Sequence, residues 1–416
     1  MFTFLHAADL HLDSPLVGLS KHAEAPVDAL KQATRDALKN LVDLALEQQV
    51  AFLLLAGDLY DGSWRDFSTG LFFIKEMRRL READIPVYLI SGNHDAESQL
   101  TSNLTLPENV HHFGSRKATS RPHPALPVSI HGQSFATPSV RENLAAAYPP
   151  PVDGHFNIGL LHTNLGDAEG HGNYAPSTLG QLVSHGYDYW ALGHIHQRQI
   201  HHEHPHVVYP GNTQGRHIRE TGAKGCYRVT VSDHLTVESC QFEPLDRVRW
   251  AELTIDCSPF HNEGDFLAAL REEFQDSLTL HEDRLLCVRV TLTGPCALQE
   301  KWHADPGRLQ AECLSLAEDI SGESLWLEQV KLRTQSLLDP AQLAQQDDLT
   351  AMVLAALEDF QPGELPAAVL ELKEKLPPAA REALAPQWQA EQSEAEEIRS
   401  EVAALVLQAL ATADSN

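Results

Sequence analysis

"ALGHIHQRQIHHEHPH", residues 191–206, holds His194, His196, His201, His202, His204 and His206. A stretch this rich in imidazole is either a metal-binding segment or a solvated loop, and histidine content alone does not separate the two. The neighbours do. His194 and His196 follow the apolar run "YDYWALG", so both stand just past the end of a buried strand, with a glycine to turn the chain. If the backbone stays extended there, the H-x-H spacing points both rings to one side. His201, His202, His204 and His206 share a polar turn with Pro205 and read as solvated loop.

Working outward, the same arrangement recurs. "ADLHLDS" sets Asp9 and His11 after "FTFLHA", and "AGDLYD" sets Asp58 after "VAFLLL". "SGNHDA" sets Asn93, His94 and Asp95 after "PVYLI", and "LLHTNL" sets His162 at the end of "FNIGLL". Between the early runs lie helical patterns, first Val27, Leu30, Leu38, Leu41 and Leu44, then about 67–81. Strands and helices in alternation predict an α/β layer with right-handed crossovers and a site beyond the carboxyl ends of its strands. Further strand patterns follow in "HVVYPGN", "CYRVTVSD" and "LTVESCQFE".

Each piece alone is weak. A "GD" after a strand is usually a turn, and a single buried histidine is usually a hydrogen-bonded core residue. Together, Asp9, His11, Asp58, Asn93, His162, His194 and His196 form a set of oxygen and imidazole donors without thiolate. Such donors suit Mn²⁺, Fe²⁺, Mg²⁺ or Zn²⁺ in a reactive site better than a structural zinc. They are too many for one ion and suit two ions sharing a carboxylate.

The 416 residues suggest two or three domains. Net charge is −27: residues 1–250 carry 20 Lys+Arg against 27 Asp+Glu, and residues 251–416 carry 11 against 31. An acidic total argues against a non-specific DNA coat, because phosphate affinity needs Lys and Arg, but it leaves room for a local basic groove. The six cysteines form no C-x-x-C pair and read as free thiols of a reducing compartment. "MFTFLHAADL" lacks the basic start of a signal peptide, and the longest apolar run, Val50 to Ala56, is far short of a membrane span. We therefore expect a cytoplasmic protein with no membrane partner. The composition shifts near Arg247, giving an expected division into a site-bearing domain at 1–246, a small α+β domain at 247–337 and a helical region at 338–416. In the last, Met352, Val353, Leu354, Leu357, Val402, Leu405, Val406 and Leu410 recur at helical steps. That face either docks a partner or packs back on the chain's own core.

The ordered set DLH, GD, GNHD, H and GHIH resembles the calcineurin-like metallophosphoesterase superfamily. "HAADLHLDSPL", "YDYWALGHIHQRQ" and "YPGNTQGRHIRETGAKGC" are similar to one branch of it, the SbcD-type DNA repair exonucleases, and among these to YhaO-type proteins. The resemblance covers about residues 1–230, and over 247–335 it is one of pattern only. It implies a metallophosphoesterase β-sandwich flanked by helices, followed by an α+β capping domain. It also implies a two-ion centre, with Mn²⁺ the expected metal. Asp9, His11, Asp58 and His196 would hold one ion, and Asp58, Asn93, His162 and His194 the other. By the same resemblance His94 is the catalytic histidine that touches phosphate, and Asp95 orients it.

The function implied is a metal-dependent exonuclease or endonuclease acting at DNA ends in repair, as the nuclease subunit of a complex with an SMC-like ATPase. A homodimer is one assembly compatible with it. The alternatives are a phosphoesterase of a small nucleotide or phosphoprotein, and a non-catalytic scaffold that kept the fold. Two loops are candidate DNA contacts. "GNTQGRHIRETGAKG" offers Arg216, Arg219 and Lys224; composition alone favours a solvated hairpin, and the resemblance tips the reading toward phosphate contacts. "FGSRKATSRPH" offers Arg116 and Lys117, with Phe113 beside them as a base-stacking candidate.

Overall fold

The computed structural model describes residues 1–14, 26–61, 67–97, 105–166, 174–281 and 284–337. The helical region expected over 338–416, with its docking face, lies outside the described residues. The chain runs β1 (Phe2–Ala7), α1 (Val27–Glu47), β2 (Phe52–Ala56), α2 (Phe67–Glu82), β3 (Val87–Ile90), α3 (Asn93–Glu97) and β4 (Val110–His112). It continues through β5 (Thr119–Pro122), β6 (Val128–Gly132), β7 (Phe156–His162), α4 (Leu179–Ser184), β8 (Tyr189–Gly193), β9 (Gln199–Glu203) and β10 (His206–Tyr209). It then returns through β11 (Gly225–Val231) and β12 (Val237–Pro244).

These strands make two six-stranded sheets, in the orders β12-β11-β1-β2-β3-β4 and β5-β6-β7-β8-β10-β9. Strands β1 to β4 are parallel, as are β6, β7, β8 and β10. The alternation of side chains along each strand decides what it packs against. On β2, Phe52, Leu54 and Ala56 face the second sheet and meet Ile130, Phe156, Ile158 and Leu160. Leu53 and Leu55 face the other way, onto Leu38 and Leu41 of α1 and Phe73 and Met77 of α2. On β8, Trp190 and Leu192 likewise face outward, onto Tyr148, Leu182 and Tyr187. With both faces covered, these strands read as unbroken apolar runs. The result is the α/β sandwich with flanking helices expected from the sequence. One cross-strand pair shows how tight the packing is. Gly159 on β7 lies opposite Trp190 on β8, and a Cβ at Gly159 would fall 2.2 Å from the indole.

Three local expectations need correction. Of the four histidines expected in a solvated loop, only His204 lies in an exposed turn; His201, His202 and His206 are on strands. These strands form the β9–β10 hairpin, in which His206 is buried and His202 Nδ1 lies 2.7 Å from the Pro205 carbonyl. "FGSRKATSRPH" is not one loop either, since it carries the chain from the edge of the first sheet at β4 to the edge of the second at β5. Phe113 cannot stack on a base, because it is fully buried between the sheets.

The chain divides into two compact units: Met1–Ala251 with His281–Cys287, and Glu252–Leu280 with the described residues from Val288 on. The division falls inside β13 (Val248–Asp256), a few residues past 246. The second unit carries α5 (Glu263–Leu280), β14 (Leu285–Cys296) from Val288 on, α6 (Gln299–Ala304), α7 (Pro306–Ser321) and β15 (Leu325–Ser336); β13, β14 and β15 form a three-stranded sheet. Glu263 at the start of α5 accepts hydrogen bonds from Lys301, Trp302 and Arg308, tying the three helices together. All six cysteines are unpaired thiols, as their spacing predicts. No described helix is long and apolar enough to cross a membrane.

His6 on β1 is fully buried, with Nε2 3.1 Å from the Leu192 carbonyl and Nδ1 3.0 Å from the Tyr189 hydroxyl. A carbonyl only accepts, so Nε2 carries the proton and Nδ1 accepts from the tyrosine. Burial pushes the ring down to about 3, outweighing the bond to Leu192 that favours the charged form. The unfolded ring titrates near 6.5, so below that pH the unfolded chain binds the extra proton. The stability that neutral His6 confers is complete above about pH 6.5 and is lost progressively as pH falls toward the folded value. Urea midpoints measured from pH 7 to pH 4 should fall in the parent protein and fall less steeply in His6→Gln. Equal slopes would show that His6 has no part in the acid sensitivity.

Candidate metal centre

The carboxyl ends of β1, β2 and β3 in one sheet meet those of β7 and β8 in the other. The segment after β1 stays paired with the segment after β2: Asp9 N–H donates to the Gly57 carbonyl at 3.1 Å and His11 N–H to that of Asp58 at 3.0 Å. This pairing is made with turned backbone. Asp9, His11 and Asp58 have φ of 51°, 43° and 52°, and His194 has 104°. The extended D-x-H and H-x-H geometry expected from spacing is therefore not what directs these side chains. Each such residue costs roughly 1–3 kcal/mol, a strain that concentrates at functional sites. Two glycines let the backbones close in. A Cβ at Gly57 would lie 2.6 Å from His162 Nδ1, and one at Gly92 would lie 2.3 Å from Asp58 Oδ1.

The structure brings all seven donor candidates together. Ligand atoms of Asp9, His11 and His196 lie within 4.8 Å of one another, as do those of Asp58, His162 and His194. Asp58 stands between the groups, with Oδ2 4.0 Å from His11 Nε2 and 3.3 Å from His162 Nε2. Asn93 Oδ1 is 3.1 Å from His162 Nε2. Two rings are fixed from behind. His162 Nδ1 donates to the Ala56 carbonyl at 2.9 Å, and His196 Nδ1 lies 2.7 Å from Glu220 Oε1. Both therefore aim Nε2 into the site, the tautomer a metal ligand needs. His11 Nε2 and His196 Nε2 face each other at 3.1 Å beside the buried Asp9 carboxylate. Nitrogens and carboxylates converging on one point are satisfied by a cation, so this donor set fits divalent ions.

The electrostatics say the same. Burial pushes Asp9 up to about 6, with His196 and His162 opposing it. Burial also disfavours the charged form of Asp58, yet His162 and His11 outweigh it and hold Asp58 well below the carboxylate range. His162 is carried up to about 9 against its own burial, chiefly by Asp58. Burial and the Arg216 guanidinium bring His11 down to about 4. The protein alone thus keeps its proton on His162 to balance buried carboxylate, and a cation would displace it.

His94, its side chain 39% exposed, adjoins the first cluster: its ring centroid is 4.9 Å from that of His11. Its Nδ1 is 2.8 Å from Asp61 Oδ1, and ligand atoms of His11, Asp61 and His94 lie within 4.8 Å of one another, a third group that could hold an ion. The hydrogen bond to Asp61 raises the basicity of His94. Asp95, expected to orient His94, is used differently: its carboxylate accepts the backbone N–H groups of Leu59 and Tyr60 at 2.9 and 3.1 Å and of Gly92 at 3.0 Å. It braces the turns that carry Asp58 and Asn93. Asp61 therefore takes the orienting role, and also bonds Ser14. The sequence reading overlooked both Asp61 and Glu220. The repeat of aspartate three residues after Asp58 in "GDLYD" was the available signal for Asp61; nothing local marked Glu220.

The basic candidates separate. Arg116, Lys117 and Arg219 are exposed. Lys224 is buried, with its Nζ on the His196 carbonyl at 2.9 Å, and is not a phosphate contact. Arg216 is 17% exposed and engaged with Glu220 at 3.1 Å and Asp61 at 3.6 Å.

Comparison with known proteins adds the family. The family model described as calcineurin-like phosphoesterase matches residues 2–198, and that of the metallophosphoesterase YhaO middle domain matches 250–335. The chain is 42% identical over 300 residues to the uncharacterized metallophosphoesterase YhaO of Bacillus subtilis (strain 168), covering 70% of this chain and 72% of that one. It is 27% identical over 204 residues to the DNA double-strand break repair protein Mre11 of Sulfurisphaera tokodaii, covering 47% of this chain and 49% of that one. Among solved structures, a dimetal phosphatase from Danio rerio aligns with 56% of this chain and 93% of that chain at 13% identity and a TM-score of 0.35. With its donor residues gathered at the strand ends and these likenesses across both units, the chain belongs to the YhaO-type calcineurin-like metallophosphoesterases, and is a hydrolase of phosphoesters.

Proposed function

We propose that this hydrolase is a DNA nuclease that uses two divalent ions, Mn²⁺ foremost, to cut phosphodiester bonds at DNA ends, in partnership with an SMC-like ATPase. The observation that carries the reading is the likeness over 204 residues to proteins named for DNA double-strand break repair. Asp9, His11, Asp58 and His196 would hold one ion, and Asp58, Asn93, His162 and His194 the other. Bound there, the ions would lower the pKa of a water and neutralise charge on the phosphate. His94 does the work that the ligands cannot. With its Nδ1 held by Asp61, the ring would meet a phosphate and protonate the departing 3′-oxygen. Exposed Arg116, Lys117 and Arg219 would track a strand through its backbone without reading bases.

A duplex labelled at one end, and bis(4-nitrophenyl) phosphate, each with Mn²⁺, Mg²⁺ or chelator, separate the substrate classes. The nuclease reading expects metal-dependent shortening of the duplex. Hydrolysis of the small diester with the DNA left intact would favour a small nucleotide or phosphoprotein substrate instead. Co-purification with an SMC-like ATPase tests the partner.

Two variants separate metal holding from chemistry. Asp58→Asn should weaken both ions at once, because an amide cannot supply the shared charge. His94→Ala should retain both ions and DNA binding yet slow cleavage by about 10²–10⁴-fold, the usual worth of a positioned acid. Metal content and single-turnover rates on one DNA end read both. Loss of metal in His94→Ala would make His94 a ligand and overturn this division of roles.

A further inference from the structure

We propose that the loop 211–225 is a clamp on one metal ligand, with Glu220 as the residue that positions His196. This rests on the reading of His196 as a ligand. The loop grips His196 from two directions. The His196 carbonyl accepts from Lys224 Nζ at 2.9 Å and from the Asn212 N–H at 3.4 Å. Gly211, at φ 77°, passes so close that a Cβ there would lie 2.7 Å from the same carbonyl oxygen. On the other side, the imidazole Nδ1 meets Glu220 Oε1 at 2.7 Å. Glu220 is held in turn: Oε2 accepts from Asn212 Nδ2 at 2.9 Å and from the Arg216 N–H at 2.8 Å, and Oε1 accepts from the Arg216 guanidinium at 3.1 Å. Glu220, Lys224 and Asn212 are all buried.

The chemistry follows from what a carboxylate can do. It only accepts, so the proton of His196 sits on Nδ1 and the Nε2 lone pair is turned toward Asp9 and His11. The buried charge also raises the donor strength of the ring. Partners of this kind behind a ligating histidine are worth 10–100-fold in metal affinity. The hydrogen bonds of the clamp end on His196, so its effect belongs to the ion that His196 would hold.

The test is Mn²⁺ titration of the full-length, metal-stripped protein, followed by electron paramagnetic resonance, for the parent, Glu220→Ala, Glu220→Gln and His196→Ala. Glu220→Ala should weaken one ion by about 10–100-fold and leave the other within a few-fold. Glu220→Gln, which still accepts from Nδ1–H but without charge, should fall between it and the parent. The melting temperature of the metal-free protein is recorded for each. His196→Ala should lose the same ion, and adding Glu220→Ala to it should cost nothing more. Two unchanged ions in both Glu220 variants would overturn the clamp. Equal weakening of both ions with a lowered metal-free melting temperature would overturn it too, as general loosening. Should Glu220→Ala fail to fold, the Gln variant alone decides. Retention of both ions by His196→Ala would instead refute the ligand assignment, and the clamp with it.

Discussion

His162 joins the two sheets where the site forms. It ends β7 of the second sheet, yet its Nδ1 bonds the Ala56 carbonyl of the first at 2.9 Å and its Nε2 faces Asp58 at 3.3 Å. The contact is possible because the backbones around it carry no side chain: a Cβ at Gly193 would lie 2.0 Å from that same Ala56 oxygen. With the strand ends pressed together, donors from far-separated parts of the sequence sit within bonding range of common points. The apolar interior fixes their distances. Because packed strands leave little slack, the site inherits the rigidity of the core beneath it.

Histidine serves two purposes in this chain, and hydrogen bonding tells them apart. His6 and His131 have both ring nitrogens engaged by ordinary partners, Leu192 and Tyr189 in one case, Ser120 and Asn157 in the other. Burial lowers the pKa of both, and they are neutral building material. His162 and His196 each have a protein acceptor behind Nδ1 and a crowd of other donors before Nε2. An imidazole held from behind, whose other nitrogen faces carboxylates and imidazoles, has the arrangement a metal ligand needs.

The donor residues were legible in the sequence because two independent signals coincide at each: an apolar run long enough to be a strand, and a hard donor after its last residue. The alternation of strands and helices was legible for the same reason, while the pairing of two sheets into a sandwich came from the family resemblance and not from the apolar runs. What was illegible depends on contacts that spacing does not encode. Asp61 and Asp95 are both aspartates near the site, and only the folded geometry gives His94 to the first and the backbone turns to the second. Lys224 looked like a phosphate contact in a glycine-rich loop, but its charge is spent inward on a carbonyl. Phe113 stood among basic residues in the sequence and between two sheets in the fold. The φ values of Asp9, His11 and Asp58 were hidden because nothing in a D-x-H string announces left-handed backbone.

That backbone has a consequence for the lifetime of the protein. Four donor residues in unfavourable conformations, beside the desolvated carboxylates of Asp9 and Asp58, concentrate strain at this rim of the sandwich. A ligand that binds only the folded form adds stability in proportion to the logarithm of its excess, about 2.7 kcal/mol at a hundredfold over Kd. For a domain whose total margin is on the order of 5–15 kcal/mol, that is a sizeable share. Starvation for the ion would then act on abundance through proteolysis of opened chains as well as on rate.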